Sequence, residues 1–270
     1  MSLQQELRSV SLSSQETRKL CLVASDRQFY YAAKRVLDIL IALILLIFFI
    51  PIMALISIAI YVYSPGPVFF VQERVGGKRQ KEGRFIIWER KFFQCYKFRT
   101  MRLNADPAIH QAYIKALIEN DQNKMSALQK AATRPGGSVN REQLIASQNA
   151  TTTPRKLVND ERVITPGKIL RKLSLDELPQ LWNVLRGDMS LVGPRPAIPY
   201  EVEMYKPWHL LRLQAQPGLS GLQQVMARCT EDFDEQVNLD IDYIENQSIW
   251  LDLKIMIKTP LAIISARGAH

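Results

Sequence analysis

From Ile39 to Ile60 the chain runs ILIALILLIFFIPIMALISIAI, 22 residues in which Ser57 is the only polar side chain and Pro51 the only helix breaker. As a straight helix the run would extend ~33 Å, enough for the hydrocarbon core of a bilayer. The competing interpretation is a buried helix of a soluble protein. A cleaved signal peptide fits poorly, because mostly polar residues precede the run and it is too long for an h-region. Whatever else the 270 residues build must be compatible with this one segment.

Charge decides how the segment can be placed. Arg8, Arg18, Lys19, Arg27, Lys34 and Arg35 stand before it, and Arg74, Lys78, Arg79, Lys81, Arg84, Arg90, Lys91, Lys97 and Arg99 follow it. Basic residues beside a membrane segment mark its cytoplasmic end, so both ends claim the same side. A single spanning helix cannot satisfy that. Pro51 supplies a way out, since it lacks the N–H that would bond the carbonyl four residues earlier and its ring clashes with that turn. The expectation is a re-entrant helix–break–helix at Pro51, over residues 34–62, entering one leaflet; a kinked spanning helix is the alternative. Hydrocarbon makes the freed carbonyl costly, so something must satisfy it. Asp38, one turn after Lys34, is expected to pair with it as an anchor at the lipid boundary.

The net charge of +9 suits nucleic acid, an anionic membrane surface or a phosphorylated substrate. Its clustering around the apolar run favours the latter two, and no nucleic-acid-binding module is recognisable. Cys21, Cys95 and Cys229 are odd in number and widely spaced, so neither a disulfide framework nor a zinc site is indicated. His110, His209 and His270 lack ligand spacing, and neither G-x-S-x-G nor G-x-G-x-x-G occurs. Serine hydrolases and dinucleotide enzymes therefore lose their usual signatures.

Residues 1–33 form a polar leader. SPGPVFFVQERVG, 64–76, leaves the apolar run through a Pro/Gly turn into a strand, and RFIIWERKFFQCYKFRTM, 84–101, reads as a second strand mixing aromatic and basic residues. From residue 102 to 158 aromatics almost vanish, which predicts an insert, partly helical and partly mobile, without a core of its own. Dense structure resumes at 159. The patterns predict a helix in PGKILRKL, another from Leu175 to about Leu185 closed by Gly187, and a third over PAIPYEVEMYKPWHLLRL broken at its prolines. The amphipathic tail NQSIWLDLKIMIKTPLAIISARG, edged by Trp250 and basic residues, suits either the core or the headgroup layer.

The chemistry concentrates in LRKLSLDELPQLWNVLRGDMSLVGPRP, 170–196. Ser174 with Glu177 three residues on has the pattern of a capping box, a purely structural role. That leaves Asp176 unexplained. At a helix N-terminus, free N–H groups and the dipole attract phosphate and keep a carboxylate ionised, so Asp176 would be poised as an anionic nucleophile. Arg171 lies one turn upstream, Arg195 is stiffened between Pro194 and Pro196, and Arg228 follows the turn-rich PGLSGLQQV. Guanidinium groups grip phosphate oxygens bidentately, and a rigid mount reduces the ordering cost.

KRVLD, SPGPVFFVQERVG, KFRTM, RKLSLDELPQLWNVLRGDMSLVGPRP, PGLSGLQQV and LDIDYIENQSIWLDLKIMIKT occur in this order. Together they resemble the bacterial sugar transferase family, the monotopic phosphoglycosyl transferases that prime surface-polysaccharide assembly, over residues 34–101 and 159–268. The resemblance implies an α+β fold, mostly helical: a re-entrant membrane helix, a catalytic domain at 63–101 and 159–270 with a small β element, and interfacial amphipathic helices. It implies transfer of a sugar 1-phosphate from a UDP-sugar to a polyprenyl phosphate, with release of UMP, a requirement for Mg2+, and a place on the cytoplasmic face of the bacterial inner membrane. By resemblance Asp176 and Glu177 are the acidic dyad. Asp176 attacks the sugar-bearing phosphorus, and Glu177, with Asp176, is the candidate Mg2+ ligand. Arg171, Arg195 and Arg228 neutralise the transferring group, and Lys97 and Arg99 of KFRTM are further candidates for donor or headgroup contact.

Two features depart from the family pattern. Ile50 precedes Pro51 where the family usually has a small polar residue, and the connection after KFRTM is longer than usual. The leader is also shorter than the extra N-terminal membrane region some chains of the family carry. A silent organiser of an assembly complex is the rival to an enzyme, and a homo-oligomer is compatible with either. The sugar itself is not declared by any residue.

Overall fold

The computed structural model describes residues 27–82, 85–103, 108–132, 160, 162–226 and 232–264. The leader up to residue 26, the stretch 133–159 and Arg228 lie outside the described residues. The apolar run forms one helix, α1, from Gln28 to Tyr63. Helical structure continues through Pro51, so the expected helix–break–helix is replaced by a single proline-containing helix. The hydroxyl of Ser57 donates to the Met53 carbonyl at 2.7 Å, a bond back along the helix that occupies a polar side chain within the apolar segment.

One stripe of α1 is covered. Ala42, Ile56 and Ile60 are buried, with Ile41, Leu45, Leu46 and Met53 packed beside them, while Ile44, Ile47, Phe48, Leu55 and Ile58 are exposed. Both ends of α1 are tied to the same body. At its start Lys34 Nζ donates to Asp252 at 2.8 Å, Arg35 donates to the carbonyls of Val184 and Leu185 at 2.6 and 2.8 Å, and Asp38 Oδ1 accepts the Leu191 amide at 3.0 Å. At its end Arg99 donates to the Ser64 carbonyl, and the Tyr63 and Thr165 hydroxyls bond at 2.7 Å. The close ion pair of Lys34 is thus with Asp252 rather than with Asp38. The partner is 218 residues away in sequence, out of reach of local spacing rules.

The chain then forms an antiparallel hairpin, β1 (Phe69–Glu82) and β2 (Phe85–Phe98), in register from Phe69↔Phe98 to Glu82↔Phe85. Gly77 lies against the carbonyls of Leu213 and Ala215, where a Cβ would collide with the backbone. Two helices of the insert follow, α2 (Ala108–Ile118) and α3 (Gln122–Ala132). Tyr113, Leu117, Met125 and Leu128 from these helices share a core with Trp208, Phe233, Val237 and Ile241. The few large side chains of the described insert thus join the main body.

Next come α4 (Thr165–Lys172), a 3-10 turn (Leu175–Glu177), α5 (Gln180–Arg186), β3 (Ser190–Val192), α6 (Pro199–Glu203) and a second 3-10 turn (Pro207–Leu213). The chain closes with β4 (Gly218–Ser220), parallel to β3, then α7 (Leu222–Met226), α8 (Phe233–Glu245) and α9 (Ile249–Ile264). The third expected helix is two short pieces, each opened by a proline, Pro199 and Pro207. α9 presents a buried and an exposed face. Asp252 and Ile255 face the core, while Trp250, Ile257, Leu261 and Ile264 are exposed at helical spacing.

The helix expected from Leu175 does not form continuously. Pro179 has no N–H to extend the 3-10 turn, so the α-helix restarts at Gln180 and ends at Gly187, which takes the left-handed conformation at φ 81°. Ser174 is also left-handed, at φ 54°, and its side chain makes no capping bond. The expected capping box is therefore absent, and Ser174 is a strained entry to the turn.

Two predictions concern this framework. Ser174→Gly should keep wild-type stability, whereas Ser174→Val should lose about 1–2 kcal/mol because a β-branched residue resists φ > 0; denaturant unfolding checks both. His209 is fully buried, its Nε2 bonding Asp234 at 2.9 Å and its Nδ1 accepting the Lys206 amide at 3.2 Å. Burial outweighs Asp234 and holds its pKa down at about 4, below the unfolded value, so this contribution is full above the unfolded pKa and is lost as pH falls towards 4. The loss should be on the order of 3 kcal/mol, and a His209→Phe variant should show a flatter stability profile in that window.

Candidate active site

The 3-10 turn that carries Asp176 and Glu177 sits directly on α1. Leu175 and Leu178, which bracket the two acids, pack against a cluster formed by Ile56, Ile60, Phe98, Ile164 and Leu170. Their apolar side chains point to the helix, while both acids remain half-buried. Asp176 is therefore not at the N-terminus of a long helix, as expected, but in the short turn before one.

Glu177 Oε1 bonds Lys97 Nζ at 2.6 Å. Register between the two comes from Asn183, fully buried on α5. Its amide donates to the Gln94 carbonyl at 2.6 Å and accepts from the Tyr96 amide at 3.1 Å, so it pairs with β2 as another strand would. Cys95, buried between these two bonds, has its thiol pKa raised by burial; Lys97, Arg74, Glu177 and Arg195 all act on it electrostatically.

Arg171 Nε donates to the Thr100 hydroxyl at 3.0 Å. Burial lowers its pKa, while the charges of Asp176 and Asp160 act in the opposite sense. Asp160 grips Arg162 through its side chain and backbone, with a closest contact of 2.7 Å. Burial alone would raise the Asp160 pKa, but the bonds from Arg162 bring it below the ordinary range. Arg162 in turn lies within electrostatic reach of Arg171.

Arg195 is exposed between buried Pro194 and Pro196. The loop is held from behind by β1: Arg74 donates to the Pro196 carbonyl at 3.1 Å, and Val75 and Ala197 exchange backbone bonds of 2.8 and 3.1 Å. Burial lowers the Arg74 pKa, and the nearby Arg195 lowers it further. His110 of α2 bonds the Tyr200 hydroxyl of α6 at 2.8 Å, within the field of Arg74, Arg195, Arg162 and Arg171.

Of the expected set, the fold pairs Lys97 with Glu177, sets Arg171 within the field of Asp176, and sets Arg195 within the field that reaches Cys95. Arg99 instead bonds the carbonyl of Ser64 and sits over Gly66, a position that caps the end of α1. Arg74, Asp160, Arg162, His110 and Tyr200 were not anticipated. A signal for Arg162 existed in the acidic pair Asp160-Glu161 that precedes it, but its proximity to Arg171 is set by the isolated bridge between Met101 and Val163. Among the described residues, no three carboxylates, thiols or imidazoles cluster as a metal cage. A carboxylate pair suits Mg2+, which retains waters and binds through one or two carboxylates plus substrate phosphates.

Comparison with known proteins identifies the family. A family model described as bacterial sugar transferase matches residues 29–266. The exopolysaccharide production protein ExoY of Rhizobium meliloti is 34% identical over 88% of this chain and 88% of its own length. The undecaprenyl-phosphate galactose phosphotransferase of Salmonella typhimurium is 35% identical over 88% of this chain, which spans 41% of that protein. The UDP-glucose:undecaprenyl-phosphate glucose-1-phosphate transferase of Caulobacter vibrioides is 35% identical over 88% of this chain and 72% of its own length. With the family model matched over residues 29–266 and a relative aligned over most of both chains, the chain belongs to the bacterial sugar transferase family and is an enzyme of that family.

Proposed function

We propose that this protein transfers a sugar 1-phosphate from a UDP-sugar to undecaprenyl phosphate, through an aspartyl phosphosugar, at the cytoplasmic face of the bacterial inner membrane. The observation that carries the proposal is the seating of Asp176 and Glu177 on α1 between Leu175 and Leu178, with Arg171 beside Asp176. A turn in that position serves a water-soluble donor from one side and a lipid acceptor from the other. The names of the Salmonella and Caulobacter relatives, which carry undecaprenyl phosphate as acceptor, support the choice of lipid.

In the first half-reaction an Asp176 carboxylate oxygen attacks the sugar-bearing phosphorus. The bond from that phosphorus to the bridging oxygen breaks, and UMP leaves with the electron pair. In the second, a phosphate oxygen of undecaprenyl phosphate attacks the same phosphorus, the Asp176 O–P bond breaks, and the carboxylate is regenerated. Arg171 and Arg195 orient the diphosphate and offset the charge that builds on its oxygens. Lys97 holds Glu177 in place. Asp176 and Glu177 would hold Mg2+, which when bound supplies charge neutralisation for the diphosphate.

Membrane placement follows from α1. Its outward face and the exposed side chains of Ile169, Leu173, Trp182, Trp250, Ile257 and Leu261 form the apolar surface available to lipid. A helix of 36 residues would measure ~54 Å if straight, yet both its ends bond to one body. That tethering, with basic residues at both ends, supports re-entry over crossing.

Asp176→Asn should reduce UMP release from UDP-sugars, in membranes containing undecaprenyl phosphate, by roughly a thousandfold or more; turnover at the wild-type rate would remove Asp176 from the nucleophile role. Single cysteines placed at Gln28 and at Ser64 should be labelled from the same side of the membrane. Labelling from opposite sides would establish a spanning helix instead.

A further inference from the structure

The inserted helix α2 has no part in the chemistry above, yet it delivers one side chain to the arginine cluster. His110 lies in its first turn, and its Nδ1 bonds the Tyr200 hydroxyl at 2.8 Å. Tyr200 belongs to α6, which opens four residues after Arg195. The α6 segment is fixed from the other side by Arg74 on Pro196 and by the Val75–Ala197 bridge. His110 is therefore mounted on the same framework that presents Arg195. The imidazole stays exposed although neighbouring residues crowd it.

Four arginines, Arg74, Arg195, Arg162 and Arg171, act on this ring. Its crowded setting first and those arginines second hold its pKa down at about 4, so it is neutral at cytoplasmic pH. A neutral donor adds a hydrogen bond to a cationic cluster without adding repulsion. The Tyr200 pKa is pushed up to about 12 by burial and then by Glu201, so its hydroxyl keeps its proton. In the tautomer in which that hydroxyl donates to Nδ1, the ring proton sits on Nε2, which has no protein partner among the described residues.

We infer that His110, positioned by Tyr200, is a donor-recognition residue whose Nε2–H bonds an oxygen of the second, sugar-bearing phosphate of the nucleotide-sugar. The inference rests on the donor class proposed above and adds a role for the insert. It assigns recognition of the diphosphate, rather than of the uridine, to a residue outside the acidic turn.

The test uses the full-length protein in lipid nanodiscs, with UDP and UMP as calorimetric probes. A hydrogen bond to a charged acceptor predicts that His110→Ala weakens UDP binding roughly tenfold. UMP binding should change less than about twofold, because the second phosphate is missing. His110→Gln, whose side-chain amide can donate from a similar position, should recover most of the UDP affinity, and Tyr200→Phe should show a smaller loss than His110→Ala. Equal melting temperatures would show that α2 still docks. Wild-type affinity for UDP in His110→Ala, or equal losses for UDP and UMP, would overturn the inference while leaving the donor class intact. A wild-type protein that binds neither nucleotide would refute the donor class, and the inference with it.

Discussion

The buried ion pair between Lys34 and Asp252 is the constraint on which the arrangement of this molecule depends. Asp252 also accepts from the Tyr30 hydroxyl at 2.9 Å and the Tyr243 hydroxyl at 2.7 Å, and Tyr243 reaches the Val192 carbonyl at 3.1 Å. One carboxylate thus joins the start of α1 to α8, α9 and β3. Such a pair is weak evidence of net stability, since desolvation offsets much of the attraction, but leaving one partner alone costs about 3–5 kcal/mol. Its effect is to specify a single docking of the apolar helix. Arg35 adds a cation at the C-terminal end of α5, where the helix dipole is negative, and Asp38 occupies the Leu191 amide. The charges of the KRVLD segment therefore serve as internal fasteners.

From that docking the position of the reactive turn follows. With the start of α1 fixed, its later residues Ile56 and Ile60 meet Leu175 and Leu178, and the acids between those leucines face away from the helix. Asn183 then aligns α5 with β2, so Lys97 meets Glu177. Hydrophobic contact sets the depth of the turn, and two amide bonds set its register. The strained backbone at Ser174 is tolerated because both flanks are held.

Much of the architecture was legible where physics is local. The two strands follow from the apolar run after the Pro/Gly turn and from the aromatic-rich segment 84–101, whose alternation is imperfect, and Gly187 ends a helix for the usual steric reason. The apolar run was legible as helical, but its continuity through Pro51 was not. The Ser174–Glu177 spacing misled because Pro179 interrupts the helix a capping box would need, and Glu177 finds a stronger partner in Lys97, 80 residues earlier. Asp176, Arg171 and Arg195 were readable as a set because they occupy one short segment. Arg74 and His110 were not, since each enters the site from a different element and no local pattern marks it. The texture of the insert suggested too little apolar content for a core. It succeeds by contributing Tyr113 and Met125 to a core shared with residues a hundred positions away.

The gathering of Arg74, Arg162, Arg171 and Arg195 near one histidine has a consequence for the protein between turnovers. Like charges held on one rigid frame repel one another, so a bound polyanion would relieve that repulsion. Occupancy should then tighten the molecule as well as fill it, coupling the firmness of the loops that bear Arg195 and Arg171 to whether nucleotide is present. Simple anions in the surrounding solution would compete for the same relief, so phosphate and sulfate would act as brakes on the enzyme and as preservatives of its fold.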